Sequence, residues 1–272
     1  MATDRLRFAS MSQAIDTRGS RAVLTRHGDG IGWITLNRPE AYNAITIELA
    51  QELTMSLREL AEHVGVIVIR GAGGNFSVGG DFKELERLRA GGEDATRLLF
   101  ESFGEACASI GKLQVPVVAA VEGYAVAGGF ELMQACDIAL VADDARIADN
   151  HSNFGQVPGG GSSQRLPRLV GAQRALGLIL TGERLSGAEA VAWGLAYRAY
   201  SAEEFDAGVA ELAAGLAAKS RAALARSKRL VRDGLELPLA EGLALELRTV
   251  LDHLGGDAAG EGIRRFTKGS GA

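Results

Sequence analysis

Two glycine-centred turns and one misplaced carboxylate are the parts of this chain whose residue types could do chemistry. The first turn is Asn75-Phe76-Ser77-Val78-Gly79-Gly80-Asp81-Phe82-Lys83. The second is Glu122-Gly123-Tyr124-Ala125-Val126-Ala127-Gly128-Gly129-Phe130-Glu131. Each joins a short apolar strand pattern to a helix start. Glycine leaves no side chain between its N–H and a bound group, and a helix N-terminus adds unpaired donors and the positive end of a dipole. Two such N–H groups converging on one carbonyl oxygen form an oxyanion hole, in which each donor stabilises the transition state by about 2.7–4 kcal/mol. Taken singly, a glycine turn is also an ordinary strand-to-helix connection. Neither turn follows the Gly-x4-Gly-Lys-Ser/Thr phosphate pattern, and no Gly-x-Gly-x-x-Gly follows the first strand, which disfavours nucleotide binding by those routes.

Glu131 stands three residues beyond Gly128 among Ala, Val, Gly, Phe, Leu and Met. That spacing puts it on roughly the glycine's face of a helix. Desolvation there would raise its pKa and suit it to proton transfer near neutral pH. A buried Glu paired with an arginine, or one at an exposed edge, fits the same residues.

The elements that must position these groups read as follows. Residues 22–27 and 31–36 flank Gly28-Asp29-Gly30 as a β-hairpin, and residues 46–63 carry apolar side chains at helical spacing. Residues 66–70 form a compact strand, a polar helix follows Asp81, and a further helix covers residues 95–112. Strand 117–121, a glycine-opened helix over 124–136, strand 138–142 and a Gly/Ser/Asn-rich loop at 150–163 come next. Such alternation implies right-handed crossover units in stacked sheets with outer helices. Ser186/Glu189 and Ser201/Glu204 read as capping boxes, the second opening an all-helical stretch to about residue 268. Leucines from 235 to 254 exceed what a compact core can absorb, and a subunit interface is their expected use.

Composition bounds the rest. With 47% hydrophobic and 23% charged residues over 272, the chain has a globular make-up, and its formal net charge of −5 gives nucleic acid no basic field to follow. A local basic pocket for a phosphorylated small ligand stays compatible with that balance. Cys107 and Cys136 read as buried thiols of a reducing compartment. No apolar run is long enough to span a bilayer. Residues 1–20 hold Arg5, Arg7 and Arg18 without an apolar h-region and read as a loose leader, so a cytoplasmic protein is expected. Residues 21–200 are expected to form one α/β core, and 201–272 a helical appendage.

Several segments, in order, resemble the crotonase superfamily, the enoyl-CoA hydratase/isomerase family. They are Asn37-Arg38-Pro39-Glu40-Ala41-Tyr42-Asn43-Ala44, the two glycine turns with their flanks, the run from Phe154 through Gly159-Gly160-Gly161 to Leu166, and Leu180-Thr181-Gly182-Glu183-Arg184-Leu185. The likeness covers roughly residues 23–266. It implies a crotonase-like α/β fold, a spiral of ββα units with a helical C-terminal trimerisation region, assembled as trimers or as hexamers of two trimers. It further implies an acyl-CoA substrate, no separate cofactor and no metal, with Gly80 and Gly128 as the oxyanion donors. Ala41, Tyr42, Asp81, Phe82 and Lys83 would lie along the coenzyme A and substrate site, and an arm carrying Lys268 would reach a neighbouring subunit's pocket.

Hydratases of this family use two glutamates. Glu131 matches the first, whereas the position of the second is taken by His151 in Asp149-Asn150-His151-Ser152. Gly80 also stands where alanine is more usual, a change of little consequence if only its N–H is used. Imidazole can donate or accept a proton near neutrality, so His151 is the candidate for moving the α-proton, with Asp149 able to orient or charge it. A polar-loop hydrogen bond is the plainer reading of the same residue. Enoyl-CoA hydration is therefore the leading expectation. Isomerisation, decarboxylation or C–C hydrolysis on the same enolate, and a non-catalytic acyl-CoA-binding role, stand as alternatives.

Overall fold

A computed structural model describes residues 21–256. The chain opens with the antiparallel hairpin β1 (Val23–Gly28) and β2 (Ile31–Leu36), turned at Asp29-Gly30. Helix α1 (Ile47–His63) starts where the Thr46 hydroxyl accepts the Leu49 N–H, and buries Leu49, Leu53, Leu57 and Leu60. Strand β3 (Val66–Gly71) pairs parallel to β2. Two helices follow, α2 (Phe82–Ala90) and α3 (Glu93–Lys112). Strand β4 (Val117–Val121) is fully buried and extends the sheet in parallel.

The sequence reading of a single helix over 124–136 needs correction. Tyr124–Val126 is a strand, β5, and helix α4 runs from Gly128 to Ala135. The strand exists because β5 pairs with β7 (Arg146–Ala148) in a second layer. Between them β6 (Ile138–Ala142) returns to the main sheet beside β4. Single bridges at Ile45–Gly80, Ser77–Ala125 and Ile147–Leu185 extend the second layer on both sides of β5 and β7. Each turn of the chain thus lays one strand in the main sheet, one shorter segment in the second layer, and then a helix. This is the ββα spiral expected from the resemblance.

Helices α5 (Ser162–Val170), α6 (Ala172–Thr181) and α7 (Gly187–Ala192) follow, α7 opened by the Ser186/Glu189 capping box as expected. Strand β8 (Arg198–Tyr200) then closes the six-stranded sheet in the order β1-β2-β3-β4-β6-β8. Ser201 and Glu204 do not form the second capping box. The Ser201 hydroxyl donates to the Glu204 carboxylate, and α8 (Phe205–Ala217) begins only after that turn.

Side-chain alternation assigns the faces of the sheet. Gly32 faces Leu60 of α1, whereas Arg70 pairs with Asp206 of α8, so the two helices cover opposite faces. That is why β4 and the Val-Ile-Val-Ile run of β3 are apolar on both faces, with Arg70 at the end of β3.

Helices α9 (Arg221–Gly234) and α10 (Leu239–Leu254) bury no residue and pack mainly on each other. One buried ion cluster fastens them to the body. Lys228 of α9 donates to the Ile110 and Val115 carbonyls and sits 2.7 Å from Asp137, which also receives Arg232 and the Val117 N–H. Burial lowers the Lys228 pKa, and Asp137 opposes that shift. Removing one partner of such a cluster leaves a charge without its counter-ion. Asp137→Ala is therefore expected to cost about 3 kcal/mol of stability, read as a lower urea midpoint, and a midpoint equal to wild type would refute this assignment.

Candidate active site

The two glycine turns meet. Gly79 has φ +90, and a Cβ there would lie 2.7 Å from Ala127 Cβ and 2.8 Å from the Gly128 nitrogen. Only glycine satisfies both the conformation and the approach. Ala127 itself holds φ 48, ψ −121 immediately before α4. A non-glycine residue in this region stores on the order of 1–3 kcal/mol, and here it turns the chain so that α4 begins at Gly128. A polar relay supports the first turn. Fully buried Asn43 donates to the Ala72 and Asn75 carbonyls, its own carbonyl receives the Ser77 hydroxyl, and that hydroxyl accepts the Gly79 N–H. Among the described residues no acceptor takes the N–H of Gly80 or Gly128. Both glycines line one cavity, about 100 Å³ in volume. A Cβ at Gly80 would meet nothing within 4 Å, in keeping with a position that works through its backbone.

Glu131 lies on the first turn of α4, 2% exposed, on the same cavity. It is not held by an arginine. Its Oε1 accepts the backbone N–H groups of Gly160 at 2.7 Å and Ser162 at 3.0 Å. Burial raises its pKa, with those two donors and His151 acting against the rise. The loop that supplies the donors is clamped in turn, because Arg165 donates to the Gly160 carbonyl at 2.6 Å.

His151 opens a short 3-10 turn, His151–Phe154, and lines the cavity opposite Glu131. Its Nδ1 is 2.6 Å from Asp149 Oδ1 and its Nε2 is 3.8 Å from Glu131 Oε2. Burial acts to lower its pKa, but the Asp149 hydrogen bond and charge, with Glu131, outweigh it and the net shift is upward. Asn150 and Gln156 also line the cavity, and the rest of its wall is apolar, built from Ile45, Leu85, Leu99, Phe100, Phe103 and Val157, with Phe82 and Phe154 in ring contact at its edge. Cys107 of α3 is no nucleophile, since burial pushes its thiol up to about 12. No group of His, Cys, Asp or Glu among the described residues is placed to hold a metal ion.

The remaining sequence candidates are spread around this centre. Phe82 lines the cavity. Asp81 is the N-cap of α2, accepting the Lys83 and Glu84 N–H groups and pairing with Arg38 at 2.9 Å, an interaction that lowers its pKa against the effect of burial. Lys83 follows it on the solvent side. Ala41 and Tyr42 sit on a separate turn outside the cavity lining, Tyr42 exposed and edge-on to Tyr124. Lys268 lies outside the described residues. Sequence reasoning missed Gly160 and Ser162 as the holders of Glu131, Arg165 as the clamp on their loop, and Phe100 and Phe103 as cavity wall. The glycine run was visible, but its contact with a residue 29 positions away had no local signal.

Two backbone N–H groups without an acceptor among the described residues thus share one cavity with a buried carboxylate and an imidazole. The family model for enoyl-CoA hydratase/isomerase matches residues 26–269, and the chain belongs to that family. It is 36% identical to the probable enoyl-CoA hydratase echA8 of Mycobacterium leprae over 87% of this chain and 91% of that one. Among solved structures, an enoyl-CoA hydratase from Polaromonas sp. JS666 superposes with a TM-score of 0.88 at 29% identity, covering 90% of this chain and 96% of the other. The enoyl-CoA hydratase of Bacillus anthracis gives 0.86 at 29% identity, covering 91% and 96%.

The glycine loop offers a direct test of how Glu131 is held. A Cβ at Gly160 would fall 2.3 Å from the Phe103 ring and 2.8 Å from Glu131 Oε2. Displacing a reacting group by about 1 Å can cost on the order of 100-fold in rate. Gly160→Ala is accordingly expected to lower kcat on an enoyl-CoA by roughly that factor while the protein stays folded by circular dichroism. Unchanged kcat would show that the loop does not set the carboxylate.

Proposed function

We propose that the chain is an enoyl-CoA hydratase in which Gly80 and Gly128 donate their N–H groups to the thioester oxygen of the substrate. The observation that carries this reading is the cavity itself, which presents two backbone donors without internal acceptors together with Glu131 and His151. The donors favour the state in which negative charge has moved onto the oxygen, and so favour an enolate. Glu131 takes a proton from water as the water oxygen adds at the β-carbon. His151 delivers a proton to the α-carbon. The chemistry assigned to these groups needs nothing beyond the coenzyme A of the substrate. Phe82 faces the acyl portion, and Lys83, Ala41 and Tyr42 border the route of the coenzyme, with Lys268 as a further cation for its phosphates. The two buried thiols, Cys107 and Cys136, suit a cytoplasmic setting.

A base and an acid flanking one enolate also serve a 1,3-proton shift, and the imidazole at position 151 favours double-bond isomerisation as the second reading. Product analysis on crotonyl-CoA and on 3-enoyl-CoAs separates the two. Glu131→Gln is expected to lose activity by about 10²–10⁴-fold, measured as loss of the enoyl thioester absorbance. Full activity in that variant sinks the assignment. Because Glu131 must be ionised and its pKa is raised, kcat/KM is expected to fall on the acid side at a higher pH than an ordinary carboxylate would give.

The reading extends to assembly. Helix α10 exposes Leu239, Leu243, Leu247, Leu251 and Leu254, an apolar row that α9 leaves uncovered. We assign it to contact with further copies of the chain in a trimer or a pair of trimers. Light scattering is expected to give three or six times the chain mass, and Leu247→Glu to reduce it. A monomeric wild-type protein would refute the assembly.

A further inference from the structure

Asp149 is a buried charged side chain to which the proposed reaction gives no role. It follows β7 directly, is fully buried, and stands two residues before His151. Its Oδ1 contacts His151 Nδ1 at 2.6 Å, and among the described residues its Oδ2 has no hydrogen-bond partner. A buried carboxylate is costly unless a positive group faces it, and His151 is the group in contact. The contact also fixes a direction, since an ionised carboxylate only accepts and Nδ1 must then carry the hydrogen. Nε2 is left towards the cavity and towards Glu131 Oε2, 3.8 Å away.

We propose that Asp149 is a positioning residue that holds His151 in its Nδ1–H form, so that Nε2 first gives a proton to substrate and then recovers one from Glu131. This rests on the hydratase reading. Before addition Glu131 is a carboxylate and His151 an imidazolium. A water O–H bond breaks as its proton passes to Glu131 Oε2, and the oxygen bonds to the β-carbon. The pair of electrons from the α,β double bond moves into the enolate held by Gly80 and Gly128. That enolate takes the Nε2 proton at its α-carbon, which completes the addition of one water. Glu131 is now a neutral acid and His151 a neutral imidazole, and transfer of the proton from Oε2 to Nε2 restores the starting state. The three side chains carry a single net negative charge before and after, so a turnover needs no proton from solvent.

The surroundings leave this assignment to these residues. Asp149 and Glu131 are the charged groups acting on the imidazole. Arg165 of α5 is bound to the Gly160 carbonyl, and Arg174 of α6, the helix packed on the His151 turn, lies over the Trp193 ring. From α2 and α3 the cavity receives Phe82, Leu85, Leu99, Phe100 and Phe103. The upward pKa shift of His151 agrees with an imidazolium resting state.

The test combines pH profiles with nitrogen NMR of histidine-labelled protein. In wild type, kcat on crotonyl-CoA is expected to fall on the alkaline side as His151 loses its proton, and to be independent of buffer concentration. Asp149→Asn should move that alkaline limb down by about one pH unit or more and lower kcat by at least about tenfold, with KM changed less than about threefold. A variant with the wild-type limb and kcat within about twofold overturns the role of Asp149. So does a neutral wild-type His151 carrying its hydrogen on Nε2, a measurement that needs no variant to fold. A kcat that rises with buffer concentration overturns the internal return of the proton. Absence of turnover of any enoyl-CoA by wild type defeats the hydratase reading instead, and the NMR tautomer then still decides for or against Asp149.

Discussion

The site depends on one close approach, that of Gly79 to the Ala127–Gly128 step, where a single added carbon would fall within 3 Å of the backbone of the other turn. The two segments come from successive coils of the spiral and meet in its second layer, through the Ser77–Ala125 bridge. Much of the fold can be understood as the means of holding that contact. The parallel sheet sets the separation of β3 and β4, whose continuations are the two turns. Asn43 and Ser77 then satisfy the polar backbone atoms that so tight a junction would otherwise strand. Ala127 absorbs the remaining strain in its own φ. The outcome is two backbone N–H groups without an acceptor among the described residues on one cavity, and fixed donors of this kind are what electrostatic stabilisation without reorganisation requires.

Charge inside the cavity follows a second constraint. Glu131 is too deeply buried to remain ionised at no cost, and its two backbone donors offset only part of the desolvation. An imidazole opposite it, itself backed by Asp149, supplies the balance. Two carboxylates in these positions would repel each other, and one would have to stay protonated. With His151 protonated, the charges attract instead. In the proposed cycle an imidazole at position 151 supplies the one mobile proton, so that reading keeps the enolate chemistry without a second glutamate.

Much of this was legible in the sequence, for identifiable reasons. The glycine turns could be found because they are local motifs, Glu131 because it stands three residues past Gly128, and His151 because the resemblance around Gln164 and Gly182 sets its register. The hairpin, α1 and the strands β3, β4 and β6 follow from period and turn chemistry in short windows. The misreadings share one cause. Tyr-Ala-Val at β5 and Arg-Ala-Tyr at β8 are three-residue strands whose stability lies in partners far along the chain, β7 and β6 respectively. The Ser201/Glu204 pattern satisfied the capping rule in spacing, yet the hydroxyl was used side chain to side chain. The holders of Glu131 escaped for the same reason as the short strands, since the Gly160 loop acquires its meaning only when it folds back onto α4.

The exposed leucines of α10 and the acyl cavity are joined through one helix. Lys228 grips the C-terminal end of α3 at the Ile110 and Val115 carbonyls, and the preceding turns of α3 carry Leu99, Phe100 and Phe103 into the cavity wall. The opposite wall is the loop from Phe154 to Gly160, whose Gly159 and Gly160 leave no room for a side chain against those same rings. Catalytic groups and acyl-facing groups are thus carried by different parts of the chain. Gly80 and Gly128 sit where strands and turns fix the backbone, whereas the apolar wall lies on α2, α3 and the 154–160 loop, whose Gly160 also holds Glu131. Side chains on that wall can therefore change in size without altering the backbone at Gly80 and Gly128, and the wall lies between α9 and the glycine turns.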